Sequence, residues 1–256
     1  MDLKTFVYLL LDNAGRYFFV AAPVFFLFYV LLRKRIAGKK IQLRFPGLSD
    51  YAREILYSTL SIIIFSIPPL LMLYSPVIRP YTRFYTDINE YGWTYLVAAF
   101  PLLFLLHDTY FYWTHRLIHH PLLFRRVHLV HHRSTNPSPW AAYAFSPSEA
   151  LLNSLIFVVF LLAIPVHSIH LMVFFVVSLV YNVYGHLGFE LYPKGFNRHW
   201  LGRWINTSVS HNQHHRHFRG NYGLYFTFWD RLMGTLRTDY DAAFDNLKSR
   251  SREPAG

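Results

Sequence analysis

Residues 91–132 read YGWTYLVAAFPLLFLLHDTYFYWTHRLIHHPLLFRRVHLVHH, an apolar stretch that runs directly into a histidine-rich one. Its first part, Tyr91 to Leu106, carries no charged side chain. No helix breaker follows Pro101, so the sequence predicts one helix that continues as far as His120. At a rise of ~1.5 Å per residue, such a helix is longer than the ~30 Å hydrocarbon core of a bilayer. Its histidine-bearing end is therefore expected to project into water.

Further apolar stretches predict more membrane helices. They cover residues 17–32, preceded by an interruption at Asp12 and Arg16; residues 55–74, with a kink expected at Pro68 and Pro69; and the pair 151–165 and 170–184, joined by a tight turn. Charged residues make up 15% of the chain, against roughly 25% in an ordinary soluble domain. The sequence predicts an all-α integral membrane helical bundle of about four to five hydrophobic helices.

Lysine and arginine are concentrated in one connecting segment. Residues 33–54 hold seven of them, whereas residues 75–91 hold two. Because positively charged loops stay on the cytoplasmic side, residues 33–54 are expected to face the cytoplasm, and the predicted spans then bring every histidine-rich segment to that side. Basic helix flanks beside anionic lipid account for the net charge of +11, so no nucleic-acid partner is expected.

The chain has fifteen histidines and no cysteine, which excludes thiolate-bound metal sites and leaves imidazole, a ligand suited to iron, zinc and copper. The histidines form an HxxxH motif at His115 and His119, an HxxHH motif at His128, His131 and His132, a second HxxHH motif at His211, His214 and His215, and a single His186 after the last apolar stretch. Residues three and four apart share a helical face, so the three imidazoles of each HxxHH are expected to converge. Eight or nine such ligands are too many for one metal ion and suit two. The prediction is a histidine-rich helical cap on the cytoplasmic side that holds a di-metal site.

Several polar residues flank these motifs. His107 shares the helical face of His115, but it equally suits a polar residue that ends the span; His120 points about 100° away from His119. Both remain open as additional ligands. Four carboxylates, namely Asp108, Glu149, Glu190 and Asp230, lie beside the motifs. They either orient imidazole N–H groups through hydrogen bonds or serve as helix caps and ion-pair partners.

Over about residues 95–237 these motifs, in this order, resemble a known family. They occur together with NPSPWAAYAFSPSE (136–149), GHLGFELYP (185–193) and NTSVSHNQHHRHFRGNYGLYFTFWDRLMGT (206–235). The set is similar to the fatty acid hydroxylase/sterol desaturase superfamily of integral membrane oxidases, and closest to its sterol desaturase branch. Ser146 stands where many relatives of that branch have histidine, which weakens the transfer of one particular sterol substrate.

The resemblance implies two iron ions, with zinc able to replace them in purified samples, and molecular oxygen as co-substrate. The implied ligands are His115, His119, His128, His131, His132, His186, His211, His214 and His215. It further implies an oxidoreductase that hydroxylates or desaturates a sterol-like or fatty-acyl lipid in lipid biosynthesis. Electrons are expected from a separate donor, a small haem or iron–sulfur carrier with an NAD(P)H reductase.

Three regions follow from this interpretation. Residues 1–90 hold the N-terminal transmembrane helices and the basic loop, residues 91–238 the catalytic domain, and residues 239–256 a polar, loosely ordered tail. Two other functions remain possible. A metal-binding transporter would line a path at mid-membrane depth with histidines or carboxylates, and a non-catalytic membrane scaffold would keep the fold without the chemistry. Because the histidine motifs lie beyond the spans, the sequence favours the oxidase.

Overall fold

The computed structural model describes residues 2–250, which are predominantly helical. The first helices are α1 (Leu3–Phe25, continued by a π-helical segment, Phe26–Leu31), α2 (Arg33–Ile36), α3 (Leu48–Phe65), α4 (Ile67–Tyr74), α5 (Gly92–Ile118), α6 (Pro121–Val127) and α7 (Leu129–His132). They are followed by α8 (Pro147–Ala163), α9 (Ser168–Gly185), α10 (Ser208–His217), α11 (Phe228–Leu232) and α12 (Tyr240–Arg250). Two short strands, β1 (Phe84–Tyr85) and β2 (Val166–His167), pair in parallel.

Within residues 2–250, four helical stretches are long and apolar enough to cross a membrane. They are Leu3–Leu31, Leu48–Tyr74, Gly92–Ile118 and Ser168–Gly185, while α8 is a shorter apolar helix of 17 residues. This confirms the predicted all-α membrane bundle of about four to five hydrophobic helices. The core between α4, α5, α8 and α9 is made of large apolar side chains such as Leu103, Phe160 and Phe174.

The first helix begins at Leu3, much earlier than the predicted start near residue 17. The predicted interruption was wrong because Asp12 and Arg16, four residues apart, form an ion pair of 2.7 Å on one helical face. Arg16 also donates to Asn13 Oδ1 at 2.6 Å. These polar groups satisfy one another within the helix, so they do not end it.

Prolines set two helix boundaries. The break between α3 and α4 falls at Ser66, slightly before the kink expected at Pro68 and Pro69. A proline has no N–H to donate to the preceding turn, and its ring clashes with a carbonyl of that turn. The distortion therefore lies on the N-terminal side of the proline. The helix α5 ends at Ile118 rather than His120, because His120 precedes Pro121 and adopts an extended conformation (ψ 135°).

A short 3₁₀ segment, Pro139–Tyr143, ties the first two spans to the histidine motifs. The carbonyl of Trp140 accepts hydrogen bonds from the Tyr17 hydroxyl (2.8 Å) and from the Ser58 hydroxyl (2.9 Å). Tyr17 and Ser58 are fully buried. Helices α1 and α3 are thus joined through one backbone oxygen to the segment that leads from α7 to α8.

Lys40 is fully buried, although it lies in the basic segment that follows α2. Its Nζ donates to Asn136 Oδ1 at 2.8 Å and lies within 6 Å of the ring centroids of Tyr29 and Phe45. Gly188 is required here: its φ is +74°, and a Cβ at this position would lie 2.9 Å from the Tyr29 hydroxyl and 3.1 Å from Nζ. This packing connects the basic segment to the residues that follow His186.

The C-terminal region is more ordered than the sequence predicts. Residues 240–250 form α12, whose Tyr240, Phe244 and Leu247 are buried against Val209 of α10. The prediction of a loosely ordered tail was wrong for these residues because their apolar side chains lie three or four residues apart and form a buried face. Residues 251–256 lie outside the described part of the chain.

The two hydrogen bonds that the Trp140 carbonyl accepts from Tyr17 and Ser58, here called the Trp140 clamp, can be tested by a double-mutant cycle. Tyr17→Phe and Ser58→Ala should each lower the free energy of unfolding by about 1 kcal/mol, because each removes one hydrogen bond and leaves the other donor in place. The double variant should cost more than the sum, since the buried carbonyl then loses both side-chain donors. The measurement is the thermal unfolding midpoint in detergent; strict additivity would show that the two donors do not share one acceptor.

Lys40 predicts a pH dependence of stability. Burial lowers its pKa from 10.5 to about 7, so between these pH values the unfolded chain binds more protons than the folded one. The stabilising contribution of neutral Lys40 is therefore full above pH 10.5 and is lost as the pH falls through about 7. Wild-type protein should gain thermal stability from pH 7 to 9.5 relative to Lys40→Met, and parallel profiles for the two proteins would contradict the assignment.

Candidate metal centre

The structure brings all nine histidines of the motifs together in two groups. The five-histidine group consists of His115, His119, His128, His132 and His214, and the four-histidine group consists of His131, His186, His211 and His215. Within each group, one nitrogen from every imidazole lies within 4.8 Å of the others. Eight of the nine residues are buried, and His119 is partly exposed.

Each HxxHH motif contributes to both groups. His128 and His132 join the five-histidine group, while His131 joins the other one. The expectation that all three imidazoles of one motif converge was therefore wrong. Positions i and i+4 differ by about 40° around a helix, whereas i+3 and i+4 differ by about 100°. The second motif divides in the same way, with His211 and His215 in one group and His214 in the other.

The nitrogens that face each other are the Nε2 atoms. In the five-histidine group, the Nε2 of His119 lies 3.2 Å from those of His132 and His214, and the Nε2 atoms of His115 and His128 are 3.0 Å apart. In the four-histidine group, the Nε2 atoms of His186, His211 and His215 lie between 3.0 and 3.2 Å from one another, and that of His131 lies 3.4 Å from His186.

The opposite ring nitrogens show which tautomers are present. The Nδ1 atoms of four histidines lie beside backbone carbonyl oxygens: His115 with Tyr222 (2.9 Å), His214 with Gly220 (2.8 Å), His186 with Asn182 (2.8 Å) and His131 with Ala144 (3.4 Å). The Nδ1 of His128 lies 2.7 Å from Glu149 Oε1. Because a carbonyl oxygen only accepts, Nδ1 carries the proton and donates. In the four rings that face a carbonyl, the lone pair is then at Nε2 and points into the group.

These imidazoles are held in the form that binds metals. Burial, reinforced by the neighbouring imidazoles, holds the pKa values of His131, His132 and His214 well below the usual 6.5, so the rings are neutral at pH 7. Neutral rings whose lone pairs meet at about 3 Å repel one another unless a cation lies between them. The donor set therefore fits two transition-metal ions, for which neutral imidazole is a common ligand.

The four predicted carboxylates all lie around the site rather than within either group. Glu149 contacts His128, as described above. Asp230 accepts from the backbone N–H groups of Tyr222 and Gly223 at 2.9 and 2.8 Å, and so shapes the loop whose carbonyls hold His115 and His214. Asp108 accepts from the N–H groups of residues 225 and 226, and Glu190 accepts from the N–H of residue 209 near the start of α10.

His107 and His120 lie outside both groups. The Nδ1 of His107 is bonded to the Tyr225 hydroxyl at 2.9 Å. His120 is exposed and caps α6 through the N–H of Leu122. Ser146, the position of the departure from relatives, caps α8 by accepting from the N–H of Glu149, and therefore helps to place that carboxylate.

Sequence reasoning missed the backbone carbonyls that orient the rings. Those of Ala144, Asn182, Gly220 and Tyr222 belong to residues whose side chains do not mark this role. The one signal available was the NYG sequence after the last motif. Asn221 adopts a left-handed conformation (φ 55°), which asparagine tolerates better than most residues, and its amide donates to the carbonyl of Ser210.

A mostly apolar cavity leads to both groups. It lies between α1, α3, α5, α8 and α9 and encloses about 880 Å³, its open mouth included. Two rings of its wall contact the histidines: Phe111 lies 5.0 Å from His115, and Phe145 lies 4.9 Å from His131, as measured between ring centroids.

The chain is similar to known proteins over most of its length. Residues 100–235 match the family model described as fatty acid hydroxylase. A Delta(7)-sterol 5(6)-desaturase of Gibberella zeae is 36% identical over 68% of this chain and 53% of its own length. The lathosterol oxidase of Mus musculus is 32% identical over 74% of this chain and 62% of its own length. The human lathosterol oxidase is 31% identical over 90% of this chain and 74% of its own length.

The chain thus spans between 53% and 62% of the length of the first two of these relatives. No solved structure matches it. The family model covers the segment that carries all nine histidines of the two groups, as the motifs predicted. The chain belongs to the fatty acid hydroxylase family, on its sterol desaturase-like branch.

Proposed function

We propose that this protein is a membrane-bound, di-iron, oxygen-dependent oxidase that hydroxylates or desaturates a sterol-like or fatty-acyl lipid. The observation that carries the proposal is the convergence of nine imidazole Nε2 atoms in two groups beside a mostly apolar cavity. The relatives that are named as sterol desaturases and lathosterol oxidases support it.

Each of the two histidine groups would hold one iron. When bound, the two irons supply the activation of molecular oxygen and the removal of hydrogen from an unactivated C–H bond. The protein orients the imidazoles through the carbonyls and Glu149, and keeps them neutral by burial. The apolar wall, with Phe111 and Phe145 against the histidines, binds the lipid and excludes water from the reacting carbon.

The proposed orientation places the histidine motifs on the cytoplasmic side. The basic segment 33–54, which is expected there, contacts helix α10 and the segment after α7: Gln42 donates to Asn212 Oδ1 at 2.9 Å, and Lys40 donates to Asn136. These contacts put the basic segment and the histidine motifs at the same end of the bundle. The positive charge of that segment therefore argues for a cytoplasmic site.

A separate electron donor is part of the proposal. Two rings cover the five-histidine group on its outer side: Phe124 lies 5.3 Å from His119, Phe218 lies 5.0 Å from His132, and the two phenyl rings are 5.9 Å apart. Exposed arginines follow or flank these rings, namely Arg125, Arg126, Arg216 and Arg219. Such a basic rim suits an acidic carrier protein, which it would steer to the site.

Metal content provides the first test. Protein purified anaerobically with ferrous iron should hold about two irons per chain. His131→Ala and His132→Ala change neighbouring residues that belong to different groups, so each should lose about one iron. Cells that express either variant should lack the oxidised lipid that wild-type cells contain, as measured by lipid profiling.

His217→Ala serves as the matched control, because His217 is exposed, follows the second HxxHH motif and belongs to neither group. It should keep both irons and the product. If wild-type protein holds stoichiometric metal but cells with wild-type protein and cells with the variants contain the same lipids, the oxidase is rejected in favour of a transporter or a scaffold. Loss of both metals from His217→Ala would reject the assignment of the groups.

Asp230→Asn provides the second test, because it alters the loop that holds His115 and His214 without removing a ligand. The two carboxylate oxygens accept from different N–H groups, so the NH2 group of asparagine would face the N–H of either Tyr222 or Gly223 and lose that hydrogen bond. Iron affinity should fall roughly 10- to 100-fold in the five-histidine group, and the other group should change less. Chelator competition measures both affinities. Asp245→Asn, which alters an exposed ion pair with Arg198, should change neither; equal loss from both groups in Asp230→Asn would contradict the selective role.

A further inference from the structure

Three hydrogen-bonded side chains at the cavity, His107, Tyr225 and Ser178, belong to neither histidine group; they are called the polar station below. The Nδ1 of His107 lies 2.9 Å from the Tyr225 hydroxyl, which in turn donates to Ser178 Oγ at 2.8 Å. His107 and Ser178 line the cavity, on α5 and on α9 respectively. The surrounding wall is aromatic, with the Phe174 ring 5.2 Å from the imidazole of His107.

The hydrogen-bond chain determines what His107 offers to a ligand. Because the Tyr225 hydroxyl gives its proton to Ser178, it accepts from the Nδ1–H of His107. The neutral ring then carries a lone pair at Nε2. Within the described residues, no hydrogen bond to this Nε2 is seen, and the ring lines the cavity. The station therefore presents one acceptor in a wall that is mostly apolar, although the amides of Asn153 and Asn182 also line it.

The station lies at a defined depth below the histidine groups. His107 precedes His115 by eight residues on α5, and Ser178 precedes His186 by eight residues along α9. At a rise of ~1.5 Å per residue, both lie about 12 Å from the turns that carry those ligands. Between the two levels the cavity is lined mainly by apolar side chains, among them Phe111 and Leu224.

We propose that His107 Nε2 accepts a hydrogen bond from the hydroxyl group of the lipid substrate, and so selects an alcohol and sets how far its carbon skeleton advances toward the histidine groups. This rests on the proposed function and narrows its substrate class to lipids with a free hydroxyl. Carboxylates and ethers lack the donor that Nε2 requires.

Arg16 is the cationic side chain among the described residues that line the cavity, so it bears on whether a carboxylate would be preferred. Its guanidinium is already bonded to Asp12 at 2.7 Å and to Asn13 at 2.6 Å, and it lies 5.4 Å from the Phe175 ring. The ion pair with Asp12 leaves the local charge near zero. The cavity therefore lacks the free cation that would favour a fatty acid carboxylate.

Equilibrium binding to the purified full-length chain in detergent, without a reductant, tests this proposal. The probes are cholesterol with its 3-methyl ether, and octadecanol with octadecyl methyl ether. In wild-type protein at least one alcohol should bind about tenfold more tightly than its ether, as expected for one hydrogen bond in an apolar site. His107→Phe should abolish this preference, and His107→Gln, which keeps an acceptor, should restore much of it.

Two further variants keep the result interpretable. Phe174→Leu reshapes the same wall without a hydrogen-bonding group, so it should change the binding of alcohol and ether equally. If His107→Phe fails to fold, Tyr225→Phe serves instead; it removes the acceptor of the Nδ1 proton and should weaken the preference for the alcohol.

Three outcomes would overturn the proposal. They are the absence of any alcohol preference in wild-type protein, an unchanged preference in His107→Phe, and tighter binding of oleate that is lost in Arg16→Met. Because binding needs no turnover, these outcomes are independent of the proposed oxidase activity. Conversely, the loss of lipid oxidation in the histidine variants of the two groups does not depend on which polar group the lipid carries.

Discussion

The Nε2 atoms of nine imidazoles meet at about 3 Å in two places within this protein, and much of the structure serves to hold them there. Neutral rings that face one another in this way repel unless a cation lies between them, so they need restraints that fix their orientation. The restraints are backbone carbonyls at Nδ1, one carboxylate at His128, and the burial that keeps the rings neutral. Four of these groups lie 4 to 21 residues from their histidines, whereas the Tyr222 carbonyl at His115 comes from a segment 107 residues away.

The division of each HxxHH motif couples the two groups. His131 and His132 are adjacent in the chain yet face different groups, and His214 and His215 do the same. A helix of fixed period thus lets one short segment supply ligands in two directions. Any displacement of α7 or α10 would disturb both groups together, so the Trp140 clamp and the packing of Lys40 bear on the site although they lie outside it.

Helices α5 and α9 each connect a candidate membrane span to one of the histidine groups. α5 carries His107, Phe111 and His115 on successive turns, and α9 carries Ser178 and leads to His186. The same helices therefore line the apolar cavity and carry histidines of the two groups. In the proposed function, a lipid in this cavity would contact the same helices that position the histidines.

The sequence by itself determined the helical membrane class, the family and the nine histidines that meet, because composition, helical period and motif order are local properties of the chain. It also placed Glu149 and Asp230 beside the site. Only the tertiary structure decided the division into five and four histidines, the Tyr222 carbonyl that orients His115, and the burial of Lys40 beside Asn136. The reason is that a period states which residues share a face, whereas the partner of that face depends on which distant segment packs against it.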